Sequence, residues 1–294
     1  MSVMIHVGWL KVPKTVLVTG ATRGLGKAVA AGLAQTGATV VMVARDPEQA
    51  AAAGGEVRAA SHGAEVHILV GDLANIGDTR RIAAQVIARH DGLSLLVNNA
   101  GVSKFSREVT EDGLERTFAT NHLAPFLLSN LLLEVLARNA PAAILNVASE
   151  QHRWVRSIPW DDLQAERTFR PIEVYNLTKL YNILFTAELA RRVQDRSVAV
   201  NCLSPGFLRT DLGREATGFF RLFLALSRPF RKPPEVGAAA VIKVAEAEVT
   251  GRYFRGTAPG TPSLLARDPQ AAARLWDLSW DLVSTASQRP EGLP

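Results

Sequence analysis

Six short runs rich in Val, Leu and Ile recur along the chain: "TVLVTG", "ATVVMVAR", "AEVHILVGD", "SLLVNNAG", "AAILNVAS" and "SVAVNCLSPG". Each stretch between them is long enough for a helix. That alternation is the sequence form of repeated βαβ units. The runs are almost continuously apolar, so each strand must be covered on both faces. The expected fold is therefore α/β, a doubly wound parallel sheet of about seven strands with helices on both faces. The seventh strand is read in "RYFRG" and a last helix around "ARDPQAAARLWDLSW".

No Pro/Gly/Ser-rich linker and no fixed-period repeat divides the 294 residues, so a single domain over 1–294 is expected. The segment 211–234, "DLGREATGFFRLFLALSRPFRKPP", interrupts the alternation and reads as a lid or insertion. The one cysteine, Cys202 in "SVAVNCL", excludes an intrachain disulfide and reads as a core thiol. A reducing, cytoplasmic compartment follows as the expectation. The net charge of +5 is spread along the chain, which argues against a nucleic-acid partner. The start, "MSVMIHVGWLK", lacks the basic and apolar regions of a signal peptide. The longest uncharged run, 117–133, is shorter than the ~20 residues a membrane span needs. It contains Asn121, His122 and Asn130 and reads as a buried helix, so no transmembrane span is expected.

The first strand runs into "TGATRGLGKAVAAGLAQTG", where Gly20, Gly24 and Gly26 form a turn ahead of a helix. Glycines there let the backbone approach a pyrophosphate, and the helix N-terminus offers unpaired N–H groups. In this strand-turn-helix context the turn marks a Rossmann-type dinucleotide site. After the second strand, a ribose 2′-hydroxyl favours an acidic residue, whereas this chain presents Arg45. Arginine favours a 2′-phosphate, and Arg23 in the glycine turn offers a second guanidinium. NADP(H) is expected over NAD(H). Asp72 in "VGDLAN" either accepts the adenine amino group or caps the following helix.

In "YNLTK", Tyr175 and Lys179 stand four residues apart, and on a helix their Cβ atoms lie ~5–6 Å apart on one face. Moving a phenol from pKa ~10 to ~7 takes ~4 kcal/mol, and a neighbouring cation supplies ~1–3 of the ~3 units. The pair alone is a weak signal, and the residues that accompany it make it specific.

"TGATRGLG", "NNAG" (98–101), Asn121, "NVAS" ending at Ser149, "YNLTK" and "SPG" (204–206), in that order, resemble the short-chain dehydrogenase/reductase family over nearly the whole chain. Within it, "TEDGLERTFATNHLAPFLLSNLLL", "KLYNILFTAELARR" and "SPGFLRTDLGRE" look like the retinol dehydrogenase branch. The resemblance implies that Tyr175 is general acid in carbonyl reduction and general base in alcohol oxidation, while Ser149 stabilises the developing alkoxide. It implies that Lys179 holds the nicotinamide ribose and that Asn121 completes a water-linked proton relay. Cofactor contacts are implied at Gly20, Thr22, Arg23, Gly24, Leu25, Gly26, Arg45, Asp72, Leu73, Asn99, Ala100 and Gly101. They continue at Tyr175, Lys179, Pro205, Gly206, Leu208 and Thr210, and no metal site is expected. Enoyl reductases of this broad fold place tyrosine and lysine further apart, and here the residue seven before Lys179 is Ile172. Carbonyl/alcohol chemistry is favoured.

Between Ser149 and Tyr175 lies a long segment whose start, with Gln151, His152 and Trp154, is expected to overhang the reacting group as substrate contacts. His152 has an alternative, a loop histidine bonding a nearby carbonyl. The opposite wall is read in Phe207, Phe219 and Phe223, as an apolar lid in preference to a membrane-surface helix or a dimer contact. Such a lid implies a bulky hydrophobic carbonyl substrate. The retinol dehydrogenase branch often carries an N-terminal membrane anchor, which is not read here, and the Ala- and Arg-rich composition suits a bacterial enzyme acting on an aromatic or polyketide ketone. The expected function is thus an NADP(H)-dependent oxidoreductase interconverting a carbonyl and an alcohol. The alternatives are a non-catalytic NADP(H)-sensing protein and a C=C reductase of the protochlorophyllide-reductase type. Monomer and homo-oligomer both stay open.

Overall fold

All seven expected strands are present in the computed structural model, which describes residues 14–61, 63–208 and 231–286. They are β1 (Thr15–Thr19), β2 (Thr39–Ala44), β3 (Val66–Val70), β4 (Leu95–Asn98), β5 (Ala142–Val147), β6 (Val198–Ser204) and β7 (Tyr253–Arg255). An eighth, β8 (Ala258–Gly260), pairs antiparallel with β7. It corrects the count of seven. Three residues, one a proline, on a largely exposed edge carry no apolar run for a sequence reading to find.

The sheet runs in the order β3-β2-β1-β4-β5-β6-β7-β8 and is parallel up to β7. Alternate strand residues feed two separate cores, as a sheet covered on both faces requires. Val16 and Val18 pack in one core with Val29 and Leu33 of α1 (Gly24–Gln35), Val57 of α2 (Pro47–Ala60) and Val241 of the helix Pro234–Ala245. Leu17 packs in the other with Ile82 of α3 (Ile76–Arg89), Leu184 of the long helix over 171–192 and Trp276 of the helix Pro269–Ala286. The winding reverses between β1 and β4, so a crevice opens outside the carboxyl ends of those strands.

The uncharged run 117–133 is buried as expected, but it is not one regular helix. It passes from α4 (Arg116–Phe118) through a π-helical turn, Ala119–Leu123, into α5 (Ala124–Leu131), followed by α6 (Leu133–Arg138). The Ala124 N–H reaches the Ala119 carbonyl, a five-residue step that puts Asn121 in a widened turn. The long helix α7 spans Pro171–Arg192, with proline in its first turn. Among the described residues no helix is long and apolar enough to cross a membrane.

Candidate active site

The glycine turn is latched to the end of β4. Thr19 Oγ1 accepts from the amides of Asn99 (3.0 Å) and Ala100 (2.9 Å) and donates to the Val97 carbonyl (3.3 Å). Asn99 Nδ2 returns a hydrogen bond to the Thr19 carbonyl at 2.9 Å. Gly20 and Gly24 hold φ of 64° and 51°, in the left-handed region that favours glycine. A Cβ on Gly26 would lie 2.2 Å from the Gly20 carbonyl oxygen, so only glycine lets α1 start this close to the turn. The cap residue, Arg23, gives the first turn of α1 no side-chain hydrogen bond, and that turn carries no acidic residue. Its amides and its positive dipole end thus suit an anionic pyrophosphate.

Arg23 and Arg45 are both exposed at this end of the sheet, and Thr22 is partly so. Leu25 and Leu73 are buried beneath the cleft. Asp72 is not the cap of α3; Asn75 is, accepting from the Asp78 amide at 2.8 Å. Asp72 instead accepts the Ala74 amide at 3.0 Å and pairs with Arg116 Nη1 at 2.9 Å. Arg116 also reaches Glu108 at 3.1 Å, so the Asp72 carboxylate is held in place from below. Along the other wall, Pro205 and Gly206 (φ 86°) lead to buried Leu208. Leu208 packs so tightly on Gly237 that a Cβ there would come within 2.5 Å of its side chain. The expected contacts Thr210, Phe219 and Phe223, with 211–230 of the expected lid, lie outside the described residues.

Tyr175 and Lys179 lie one turn apart on α7, both buried, with Lys179 Nζ 5.5 Å from the phenol ring centroid. The ammonium donates to the carbonyl of Val147, the last residue of β5, at 3.0 Å. Two residues on, Ser149 caps the 3-10 turn Glu150–Trp154, its Oγ accepting from the Gln151 amide at 3.3 Å. Burial raises the Tyr175 pKa above its ordinary value, opposed by the Ser149 side chain, and burial pushes Lys179 down to about 8. Desolvation therefore outweighs the lowering of the phenol expected from Lys179, and the resting Tyr175 is a protonated acid.

Asn121 commits its side chain to structure. Its Oδ1 accepts from the Val102 amide at 2.8 Å, and its Nδ2 donates to the Val102 carbonyl at 2.9 Å and to Thr178 Oγ1 at 3.1 Å. Thr178 in turn donates to the Tyr175 carbonyl at 2.8 Å. A Cβ on Gly101 would stand 3.4 Å from Asn121 Oδ1 and 3.6 Å from Lys179 Nζ, so Gly101, Asn121 and Lys179 converge.

His152 takes the alternative role. It is fully buried, and a backbone amide, that of Ser263, donates to its Nε2 at 3.2 Å. The ring proton is therefore on Nδ1, which donates to the Ser149 carbonyl at 2.7 Å. With both nitrogens used, His152 anchors the Ser149 peptide and does not face a substrate. The next contacts reinforce that anchor: the Glu150 amide donates to Ser204 Oγ at 3.1 Å, and the Glu150 carboxylate accepts from Tyr253. Gln151 is partly exposed, and Trp154 and Phe207 are open to solvent at the rim, at 68% and 49% exposure. Among the described residues no acidic, histidine or cysteine cluster could hold a metal ion. Cys202 is buried, and burial pushes its thiol up to about 12, as a core residue requires.

The contacts of Thr19, Arg116, Thr178 and Ser204 were not legible, although Thr19, Thr178 and Ser204 stand inside the motifs "TGATRGLG", "YNLTK" and "SPG".

A family model described as short chain dehydrogenase matches residues 14–218. Human retinol dehydrogenase 13 is 38% identical over 297 residues, covering 96% of this chain and 88% of its own length. Human retinol dehydrogenase 14 is 40% identical over 290 residues, covering 92% and 86%. Among solved structures, an uncharacterised protein from Mycobacterium paratuberculosis matches with a TM-score of 0.75 at 30% identity, covering 93% of this chain and 96% of that one.

Proposed function

The chain belongs to the short-chain dehydrogenase family, and from that premise we propose an NADP(H)-dependent oxidoreductase that interconverts a hydrophobic ketone or aldehyde and its alcohol, with Tyr175 as acid/base. The observation that carries this reading is Lys179, fixed by the Val147 carbonyl with its Nζ 5.5 Å from the Tyr175 ring centroid, at the crevice where the glycine turn opens.

The amides of the Gly20–Gly26 turn would hold the pyrophosphate, with Arg23 and Arg45 on the 2′-phosphate and Asp72 near the adenine. When bound, the nicotinamide supplies the hydride. In the direction of reduction, Tyr175 gives its phenolic proton to the carbonyl oxygen while Ser149 hydrogen-bonds the same oxygen. Lys179 steadies the phenolate that remains, and Asn121, across Gly101 from it, anchors the relay that reprotonates it. His152 acts as a positioning residue: it fixes the peptide of Ser149, so the hydroxyl is set before substrate arrives. The exposed apolar rim of Trp154 and Phe207 and the printed names of the retinol dehydrogenases support a bulky hydrophobic substrate.

Tyr175→Phe tests the reading. The variant is expected to bind NADPH like the parent and to lose a factor of about 100 or more in carbonyl reduction. Full activity in the variant would overturn the proposed role.

A further inference from the structure

Asp72 leaves the sheet beside Arg45. The Gly71 amide donates to the Ala44 carbonyl at 2.9 Å, so the residues that follow β2 and β3, Arg45 and Asp72, stand at neighbouring strand ends. Two separate devices hold Asp72. Its backbone is fixed by Asp78, whose Oδ2 accepts the Asp72 amide at 2.7 Å and whose other oxygen is paired with Arg81. Its carboxylate is fixed by one amide and one guanidinium: Oδ1 accepts from Ala74 at 3.0 Å, and Oδ2 accepts from Arg116 Nη1 at 2.9 Å. The side chain is still 32% exposed, and each oxygen has a lone pair left for one more donor.

Arg116 is itself clamped from the other side. Its Nε stands 3.1 Å from a Glu108 carboxylate oxygen, an ion pair without the alignment of a hydrogen bond. Its amide donates to the Glu108 carbonyl at 2.9 Å, and Lys104 pairs with the Glu108 carboxylate at 3.0 Å. Arg116 opens α4, whose cap, Glu115, accepts the Thr117 and Phe118 amides at 2.8 and 2.7 Å. An isolated surface ion pair contributes little, because both side chains are free to leave it. Here the guanidinium is 24% exposed, spans two carboxylates and sits on a fixed backbone. Without it Oδ2 has no donor and the Asp72 carboxylate is free to turn, while its backbone stays in place through Asp78.

We propose that Arg116 is a positioning residue for coenzyme specificity: it aims the Asp72 carboxylate at the exocyclic amino group of adenine, so that the chain discriminates the base as well as the 2′-phosphate. An ionised carboxylate only accepts hydrogen bonds, so a fixed one favours the amino group and rejects a carbonyl at the same ring position. The inference rests on the NADP(H) reading with Asp72 near the adenine, and adds the residue that makes Asp72 selective.

The test is equilibrium binding of two reduced coenzymes to the full chain: NADPH and its deamino form, in which hypoxanthine puts a carbonyl where adenine has its amino group. Nicotinamide fluorescence reads both affinities with no turnover. The parent is expected to bind NADPH about tenfold or more tightly than the deamino form, as one hydrogen bond to a charged group implies. Arg116→Met keeps the apolar stem and removes the donors, so the preference should fall to within about twofold, the level also expected of Asp72→Ala. Arg116→Lys should restore part of it. A role in folding alone would weaken both coenzymes alike and leave their ratio unchanged; melting temperatures show which variants fold. A parent-like ratio in folded Arg116→Met or Arg116→Ala, or a parent that binds both coenzymes equally, overturns the proposal. A parent that binds neither overturns the coenzyme reading itself.

Discussion

Lys179 Nζ sits 5.5 Å from the centroid of the Tyr175 ring and is held there by a 3.0 Å hydrogen bond to the Val147 carbonyl. A lysine on a helix is thus tied to the end of a core strand, and the cation cannot leave the phenol without breaking that bond.

Burial sets this ammonium's pKa at about 8, so it is charged below that pH and loses its charge as the pH rises through it. Carbonyl reduction, measured as kcat/KM, is therefore predicted to fall above pH ~8, because kcat/KM follows ionisations of the free enzyme. In Lys179→Arg, which stays charged throughout, that alkaline limb should be absent or moved to higher pH. A parent profile flat from pH ~7 to ~10 would contradict it.

Coenzyme choice is predicted to rest on the exposed Arg45 just beyond β2. Arg45→Asp should weaken NADPH by about ten- to hundredfold, the worth of one charge-assisted contact, and leave NADH nearly unchanged. Fluorescence titration with both coenzymes reads the difference, and equal losses on both would remove Arg45 from the role.

Thr19 is predicted to matter for stability. Replacing it with Val leaves the amides of Asn99 and Ala100 without their acceptor and should cost about 2 kcal/mol in urea unfolding. Thr19→Ser keeps the hydroxyl and should recover most of that loss.

What could be read in the sequence and what could not divide along one physical line. Strands covered on both faces, glycines at positive φ, and a Tyr/Lys pair one helical turn apart are local properties, visible in residue type and spacing. Which of its two roles His152 takes was not visible, because the amide that fixes its other nitrogen, Ser263, lies 111 residues away and becomes a neighbour only when β7 and β8 form. The alternative of Asp72 as a helix cap fails for the same reason: its carboxylate is held by Arg116, 44 residues on, while the cap falls to Asn75. The π turn at Asn121 leaves no mark in an apolar stretch that reads as helix throughout.

His122, next to Asn121, supplies a pH test of folding. Its Nε2 lies 2.9 Å from Ser279 Oγ, and that hydroxyl donates to the Leu275 carbonyl, so the ring donates from Nε2. Burial pushes its pKa from 6.5 down to about 3. Between those values the unfolded chain binds a proton that the folded chain refuses. The contribution is complete above pH 6.5 and is lost as the pH falls toward 3, by at most ~1.4 kcal/mol per pH unit. In His122→Gln, which keeps a donor and does not titrate, that part of the acid slope should vanish from urea unfolding.

Hydride transfer to a carbonyl carbon is tested most directly with NADPH deuterated at the transferable nicotinamide position and an enone such as 4-phenylbut-3-en-2-one. The predicted product is the allylic alcohol with one deuterium on the carbinol carbon and the C=C bond intact. Deuterium on the β-carbon with the carbonyl retained, or tight NADPH binding with no deuterium in any product across a broad carbonyl panel, would contradict the account.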